Sequence, residues 1–343
     1  MERTLKGRVE RIVRRYGVPR WVRILSAEVV GENLVLTVLD RPDKTALIGT
    51  GGRLAILLAE ELGVKGVYVT TLIDLVTVKL RVSSALNKLK PLTRRLTGKA
   101  FHPLLLLERC LVRRLKDPVR WVGEVVANLE SAHEEVVEGC CVGLSGGVDS
   151  LATTLILRSI GVKPLAVTVN PGSIILPPRQ LSIIRDSCRV MGVKSEFLKP
   201  VKPEEFEENV KMALEGRRHP CKRCSELIKS SVIRRARESR ICVVFFGSLL
   251  PTGGFSIEVL EGGLVVIHLP AALALTKGLT SYIVRSFLGD VKPYPYGCPL
   301  LTECNRRYKS MKLVTIKRLL KKVRAGVMEP AEAMRRLRFI LYT

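Results

Sequence analysis

Six consecutive residues, Ser145-Gly146-Gly147-Val148-Asp149-Ser150, are suited to holding an anion. They follow the apolar run Cys140 to Leu144 and open the helical run Ser150 to Ile160. A strand-to-helix turn of this kind aims backbone N–H groups and the helix dipole at a phosphate. Gly146 and Gly147 let the backbone come close, and the Ser145 and Ser150 hydroxyls can donate to phosphate oxygens. Asp149 would repel a bare phosphate, so a Mg²⁺ ion or a bound donor is expected beside it.

A second set of residues carries thiol chemistry. Pro220-Cys221-Lys222-Arg223-Cys224 spaces two cysteines three apart at the start of a helix. The helix N-terminus with Arg218, Lys222 and Arg223 should favour thiolate, the form that binds metal or attacks sulfur. Such a pair can be half of a zinc site, a redox pair, two ligands of an iron–sulfur cluster or a persulfide carrier. A third thiol, Cys298 in Tyr296-Gly297-Cys298-Pro299, follows 298 − 224 = 74 residues after Cys224.

These residues need a scaffold. From about residue 136 short apolar runs alternate with amphipathic helices: Cys140 to Leu144, Pro164 to Asn170, Ser195 to Leu198, Ile241 to Gly247 and Leu264 to Leu269. That alternation predicts a parallel sheet covered by helices on both faces, an α/β fold. Ligands of such sheets sit at the carboxyl ends of the strands. Val167 to Asn170, including Val169, and Phe246 to Ser248, including Gly247, are therefore candidate nucleotide-facing segments or plain strand ends.

The loop lacks the Gly-Lys-Ser/Thr of a Walker A motif and matches S-G-G-x-D-S at all six positions. In this it resembles the N-type ATP pyrophosphatases, the PP-loop family, whose fold is the Rossmann-like adenine nucleotide alpha hydrolase type. The resemblance implies ATP as substrate, bound by Ser145, Gly146, Gly147, Val148, Asp149 and Ser150. A substrate carbonyl oxygen would attack the α-phosphorus, pyrophosphate would leave, and a nucleophile would then displace AMP. The order P-C-x-x-C then C-P resembles the PP-loop tRNA thiolases over residues 136–305. That narrower resemblance implies a [4Fe-4S] cluster on Cys221, Cys224 and Cys298, with one iron open to the incoming sulfur. Ligation by Cys304 would close the site and make a cluster or zinc structural. Related thiouridylases need no metal: one cysteine carries a persulfide and another releases the sulfide, which would make Cys224 and Cys298 the pair. The sulfur donor would be sulfide, a persulfide or a sulfur-carrier protein.

The first 89 residues read helix, strand, strand, helix, strand, with Leu5, Val9, Ile12 and Val13 on one helical face and Leu34, Leu36 and Val38 alternating. Ile48-Gly49-Thr50-Gly51-Gly52 lies between a helix carrying Lys44 and one starting at Arg53. A glycine turn capping a helix has the same local pattern. The segment resembles the I-G-x-x-G of a small α+β KH domain, which implies that Lys44, Gly49, Thr50, Gly51, Gly52 and Arg53 meet a nucleic-acid backbone. No basic residue stands at Thr50 or Gly51, a departure from the usual loop. A basic helical connector is expected over 90–135, from Lys90 through Lys99 to Arg120, and basic helices over 306–343.

Lys and Arg number 57 against 32 Asp and Glu in 343 residues, a formal charge of +25. A polyanionic partner, tRNA or another structured RNA, accounts for that excess, as would a generally basic surface. Nine cysteines without a signal-like start or an apolar run of ~18 residues predict a cytoplasmic chain with reduced thiols. Association as a homodimer is compatible with the sequence. Cys140, Cys141 and Cys242 are expected in the core, His219 near metal or phosphate or neither, and Lys277 at a helix start facing water or the departing pyrophosphate. The leading expectation is an enzyme that adenylates a tRNA base carbonyl and replaces its oxygen with sulfur. Two rivals are a PP-loop amidoligase using ammonia or an amine, and an RNA-binding protein that only senses nucleotide. The amidoligase would have no need of Cys221 or Cys224, and no glutaminase segment is present to supply ammonia.

Overall fold

The computed structural model describes residues 4–95, 101–130, 137–292, 294 and 296–342. Lys99 and the expected boundary at 135/136 lie outside them. The chain divides into two compact units, one holding residues up to Leu80 with Leu115–Glu124, the other Arg81–Arg114 with the chain from Val125 onward.

In the first unit α1 (Leu5–Arg15) begins behind Thr4, whose hydroxyl accepts from Gly7 N–H at 3.3 Å. Its face of Val9, Ile12 and Val13 is buried, as the spacing requires. Strands β1 (Ile24–Val30) and β2 (Asn33–Val38) pair antiparallel, while β3 (Gly66–Thr71) joins β2 in parallel. A parallel return needs a crossover, supplied by α2 (Arg41–Ile48) and α3 (Arg53–Leu62). Leu34, Leu36, Val38, Leu47, Leu58 and Val69 share the resulting core. The chain then continues as α4 (Leu72–Arg95), α5 (Phe101–Lys116) and α6 (Arg120–Glu130), so the described part of the connector is helical.

In the second unit the strands are β4 (Cys140–Gly143), β5 (Leu165–Val169), β6 (Ser195–Leu198), β7 (Val243–Phe246), β8 (Ile257–Val259) and β9 (Val265–His268). Between them lie α7 (Val148–Ser159), α8 (Pro178–Met191), α9 (Pro203–Leu214) and α10 (Cys221–Glu238). After the sheet come α11 (Leu269–Ala272), α12 (Lys277–Leu288), α13 (Pro299–Arg307), α14 (Lys309–Arg324) and α15 (Pro330–Tyr342). The sheet order is β6-β5-β4-β7-β9-β8, parallel except that β8 pairs antiparallel with β9 at one edge. Both faces of the central strands are buried, which is why they read as unbroken apolar runs. The mixed α/β expectation therefore holds, with one edge strand that three residues of sequence could not announce.

The order has a functional consequence. β4 lies between β5, which follows it, and β7, which comes after a long excursion, so the chain reverses its direction of winding at β4. Connections leaving on opposite faces open a crevice at that strand's carboxyl end. The hexapeptide Ser145 to Ser150 begins two residues after β4 ends. Among the described residues no helix is long and apolar enough to cross a membrane.

Candidate active site

The loop after β4 is braced from within. Ser150 is buried, and its hydroxyl donates to the Gly147 carbonyl at 2.9 Å while accepting Ser145 N–H at 3.2 Å. Ser145 Oγ stands 3.2 Å from Ser150 Oγ and accepts Gly147 N–H at 3.4 Å. Ser150 thus shapes the loop, and Ser145, which is exposed, is the hydroxyl within reach of a ligand. Gly147 caps α7 without any side-chain bond, so the helix N-terminus presents its N–H groups to whatever occupies the crevice.

Two glycines are fixed by space. Gly146 has φ +69°, and a Cβ there would sit 2.4 Å from Gln180 Nε2 and 2.7 Å from Ile184. Gly247, at the end of β7, backs onto the first turn of α7: a Cβ would lie 2.7 Å from Ser150 N and 2.8 Å from the Asp149 carbonyl carbon. Both neighbours are backbone and cannot rotate away. Gly247→Ala should therefore displace the loop, lowering stability by about 1–3 kcal/mol, read by thermal melting. An unchanged melting temperature would show that the loop tolerates the shift.

Asp149 lies in the first turn of α7. Its Oδ1 accepts from Lys277 Nζ and from Thr280 Oγ1, each at 2.8 Å. Lys277 is buried, correcting the expectation of a solvated lysine: Thr276 caps α12 and the first turn points the ammonium at the loop. Only tertiary packing brings these residues together, 128 positions apart.

The loop forms the floor of a cavity of about 450 Å³. Its lining includes Ser145, Gly147, Val148, Asp149, Ser150, Val169, Gly247, Cys221, Cys224 and Cys298. The structure therefore brings the loop after β4, both strand-end segments and all three motif cysteines to one chamber. A second cavity of about 440 Å³ shares Gly147, Val148, Asp149, Cys221, Lys277, Tyr294 and Gly297 with the first. Beyond these it is lined by His219, Tyr296, Leu301, Thr315, Arg318, Lys322 and Arg336.

Burial overturns the thiolate expectation. It pushes the Cys224 thiol up to about 12, with Cys298 and Cys221 adding to the rise, and the Cys298 thiol up to about 11. Cys221 is raised for the same reason, although Arg318 and Lys322 oppose it. Arg223, expected to assist, is engaged by Glu205 and by Glu226 at 3.3 Å. The Cys224 and Cys298 thiols are thus neutral near pH 7, with thiolate populations roughly 10²–10³ below that of an ordinary cysteine. Iodoacetamide near neutral pH should alkylate Cys242, which is exposed, well before Cys224 or Cys298. Equal rates would mean that something in the chamber stabilises thiolate.

Cys242 corrects its own expectation, since it ends outside β7 and faces solvent, whereas Cys140 and Cys141 are buried. Cys304 lines neither chamber; it is buried against Leu300 and Met311, and its thiol donates to the Ala213 carbonyl at 3.5 Å. His219 accepts Cys221 N–H on Nδ1 at 3.4 Å, while Nε2 lies 3.1 Å from Thr315 Oγ1. Thr315 in turn donates to Asn305 Oδ1 at 2.8 Å, which assigns the proton to Nε2. Burial and then Arg318 lower its pKa to about 4, so His219 is a neutral brace for α10.

The donor set of three thiols suits a soft metal or a cluster. Their placement is not closed around one: among the described residues no three His, Cys, Asp or Glu stand together so as to hold an ion. Asp149 is the sole carboxylate lining either chamber among the described residues, enough for a Mg²⁺ that brings phosphate oxygens as its other ligands.

In the first unit, Gly49, Thr50, Gly51 and Gly52 make the turn between α2 and α3, with positive φ at the three glycines. Thr50, Gly51 and Arg53 are exposed, and α3 starts without a side-chain cap. Lys44 is buried instead, its ammonium 3.8 Å from Asp74.

No family model matches the chain. Among solved structures, the U34-tRNA thiolase NcsA from Methanococcus maripaludis with its [4Fe-4S] cluster is similar over 64% of this chain and 77% of that one, at 15% identity and a TM-score of 0.40. A likeness of that size speaks to neither reaction nor cofactor. Over 201 residues, 58% of this chain and 74% of the relative, the sequence is 30% identical to uncharacterized protein MJ1638 of Methanocaldococcus jannaschii. The chain belongs to the same family as that protein.

Proposed function

We propose that the protein cleaves ATP to AMP and pyrophosphate in order to replace the oxygen of an RNA base carbonyl, tRNA being the leading substrate, with sulfur. The observation that carries this reading is the meeting of the S-G-G-V-D-S loop with Cys221, Cys224 and Cys298 in one 450 Å³ chamber. The loop receives the triphosphate on the α7 N-terminus and Ser145, with Mg²⁺ between Asp149 and the phosphates. The carbonyl oxygen attacks the α-phosphorus, pyrophosphate departs, and the base carbon becomes activated toward displacement of AMP.

For the sulfur step the fitting pair is Cys224 and Cys298, which line one chamber, Cys298 adding to the rise of the Cys224 thiol. A persulfide on one thiol, loaded by transfer of sulfane sulfur from an external persulfide donor whose own thiol is released, attacks the activated carbon with its terminal sulfur, and AMP leaves with the former carbonyl oxygen. The second thiol then attacks the inner sulfur, closing a Cys224–Cys298 disulfide and releasing the thiocarbonyl. A dithiol reductant returns the pair to thiols. No step here passes through a metal. The thiol-only donor set keeps a [4Fe-4S] cluster as the second reading, which requires the three sulfurs to converge and would yield bound iron lost on Cys221→Ala.

The exposed turn Thr50 to Arg53, with its uncapped helix start, supports the KH-like reading of the first unit as an RNA-backbone contact. Lys44, held near Asp74, is the weakest member of that proposed set. Pyrophosphate release measured with and without bulk tRNA tests the activation step. Release that requires RNA supports it, whereas ATP binding without turnover under any RNA condition favours a nucleotide sensor.

A further inference from the structure

The second chamber contains two cations without an obvious purpose. Arg318 and Lys322 lie four residues apart on α14 and face it together; neither forms a salt bridge among the described residues, and Asp149, which favours the Lys322 ammonium from across the chamber, is itself bonded to Lys277. The other charges there are matched: Lys277 faces Asp149, and Arg336 Nη2 contacts Glu332 at 2.7 Å. Arg318 stands exposed at the rim, whereas Lys322 is half-buried and its ammonium is disfavoured first by that burial. Like charges placed so close, one of them partly desolvated, call for an anion.

An inorganic anion would answer the cations alone. It would leave Tyr294 and Tyr296 unexplained, two aromatic side chains lining the same space, the second with the Arg336 guanidinium 6.0 Å from its ring centre. Aromatic faces beside phosphate-binding cations are the means by which proteins hold an unpaired nucleotide. The volume, about 440 Å³, falls in the range of about 300–1,000 Å³ for small-ligand pockets and is far too small for a duplex. The chamber also adjoins the place where the chemistry would happen, since Asp149 and Cys221 line both cavities.

We infer that this chamber receives a single unstacked nucleotide of the RNA substrate, its base against Tyr294 and Tyr296 and its phosphate on Arg318 and Lys322. The helix α14, basic on several faces, would then have two duties: its outward lysines meet the RNA backbone at large, and this pair positions the nucleotide to be modified. The inference rests on the proposed RNA-directed activity, but it concerns binding and can be read without turnover.

The test is filter binding of the full chain to bulk tRNA and to a mixed-sequence single-stranded RNA octamer across a salt series. Arg318→Ala/Lys322→Ala is compared with Lys317→Ala/Lys321→Ala, which removes the same charge from exposed positions of the same helix. The inward pair should weaken octamer binding about 10-fold more than the outward pair and reduce the salt slope by about 0.7, one single-strand phosphate contact. Tyr296→Leu should weaken it roughly 5-fold or more with the salt slope unchanged. Equal losses from the two double variants would overturn the inference. So would loss of inorganic pyrophosphate binding in the inward variant with RNA binding intact. Arg318→Ala alone, at an exposed position, carries the comparison if the double variant fails to fold.

Discussion

Lys277→Met is expected to slow pyrophosphate release by about 10²–10³-fold, the typical loss on removing one preorganised charge partner of a transition state. Lys277 Nζ stands 2.8 Å from Asp149 and lines both chambers, where in the proposed reaction negative charge would grow as pyrophosphate separates from the α-phosphorus. The same substitution isolates a half-buried carboxylate. Its stability cost should fall below the roughly 3–5 kcal/mol of a fully buried pair, because the side chains retain 10% and 23% exposure and Thr280 still donates to Asp149. Asp149→Asn combined with Lys277→Met should recover most of the melting temperature but not the rate. Wild-type release by Lys277→Met would remove Lys277 from the chemistry and leave it a structural partner.

The second large effect separates activation from transfer. Cys224→Ser and Cys298→Ser should each lower sulfur incorporation by about 10³-fold or more, as loss of a nucleophile does, while RNA-dependent pyrophosphate release stays within about tenfold of wild type. In the proposed sequence the carbonyl oxygen attacks the α-phosphorus before any thiol is needed, so the first half-reaction should survive. Cys304→Ser should leave sulfur transfer nearly unchanged, because its side chain is packed against Leu300 and Met311 outside both chambers. Equal collapse of both half-reactions in Cys224→Ser would place the cysteine in ATP activation instead.

Much of this site could be read from local sequence. The apolar run through Cys140 to Gly143, the two glycines and the helix that follows fix a strand, a turn and an N-terminus that can hardly arrange themselves otherwise. The order of the strands then sets the loop at the point where winding reverses. The P-C-x-x-C motif and Cys298 are also visible as motifs, and packing brings them to the same chamber.

What escaped the sequence depends on burial and on partners far along the chain. The cations around Cys221 suggested thiolate, but a pKa is set by solvent access as well as by neighbours, and burial dominates here. Lys277 looked like any lysine at a helix start until α12 packed beside α7. β8 is too short for a periodic signal, and Cys242 lies just outside the strand expected to bury it. Thr315, Arg318 and Lys322 follow i, i+3, i+7 spacing along one face of α14, a pattern legible in the sequence; its meaning depended on that face opening onto the loop.

The most direct measurement is nucleoside mass spectrometry of bulk tRNA incubated with the protein, ATP, Mg²⁺, a persulfide donor and a dithiol reductant. A nucleoside carrying sulfur in place of a carbonyl oxygen is the expected product, formed with AMP and pyrophosphate in step and absent with Cys224→Ser. ATP converted to AMP on RNA with a nitrogen-substituted nucleoside, or with no sulfur gained under any donor, would contradict the assignment.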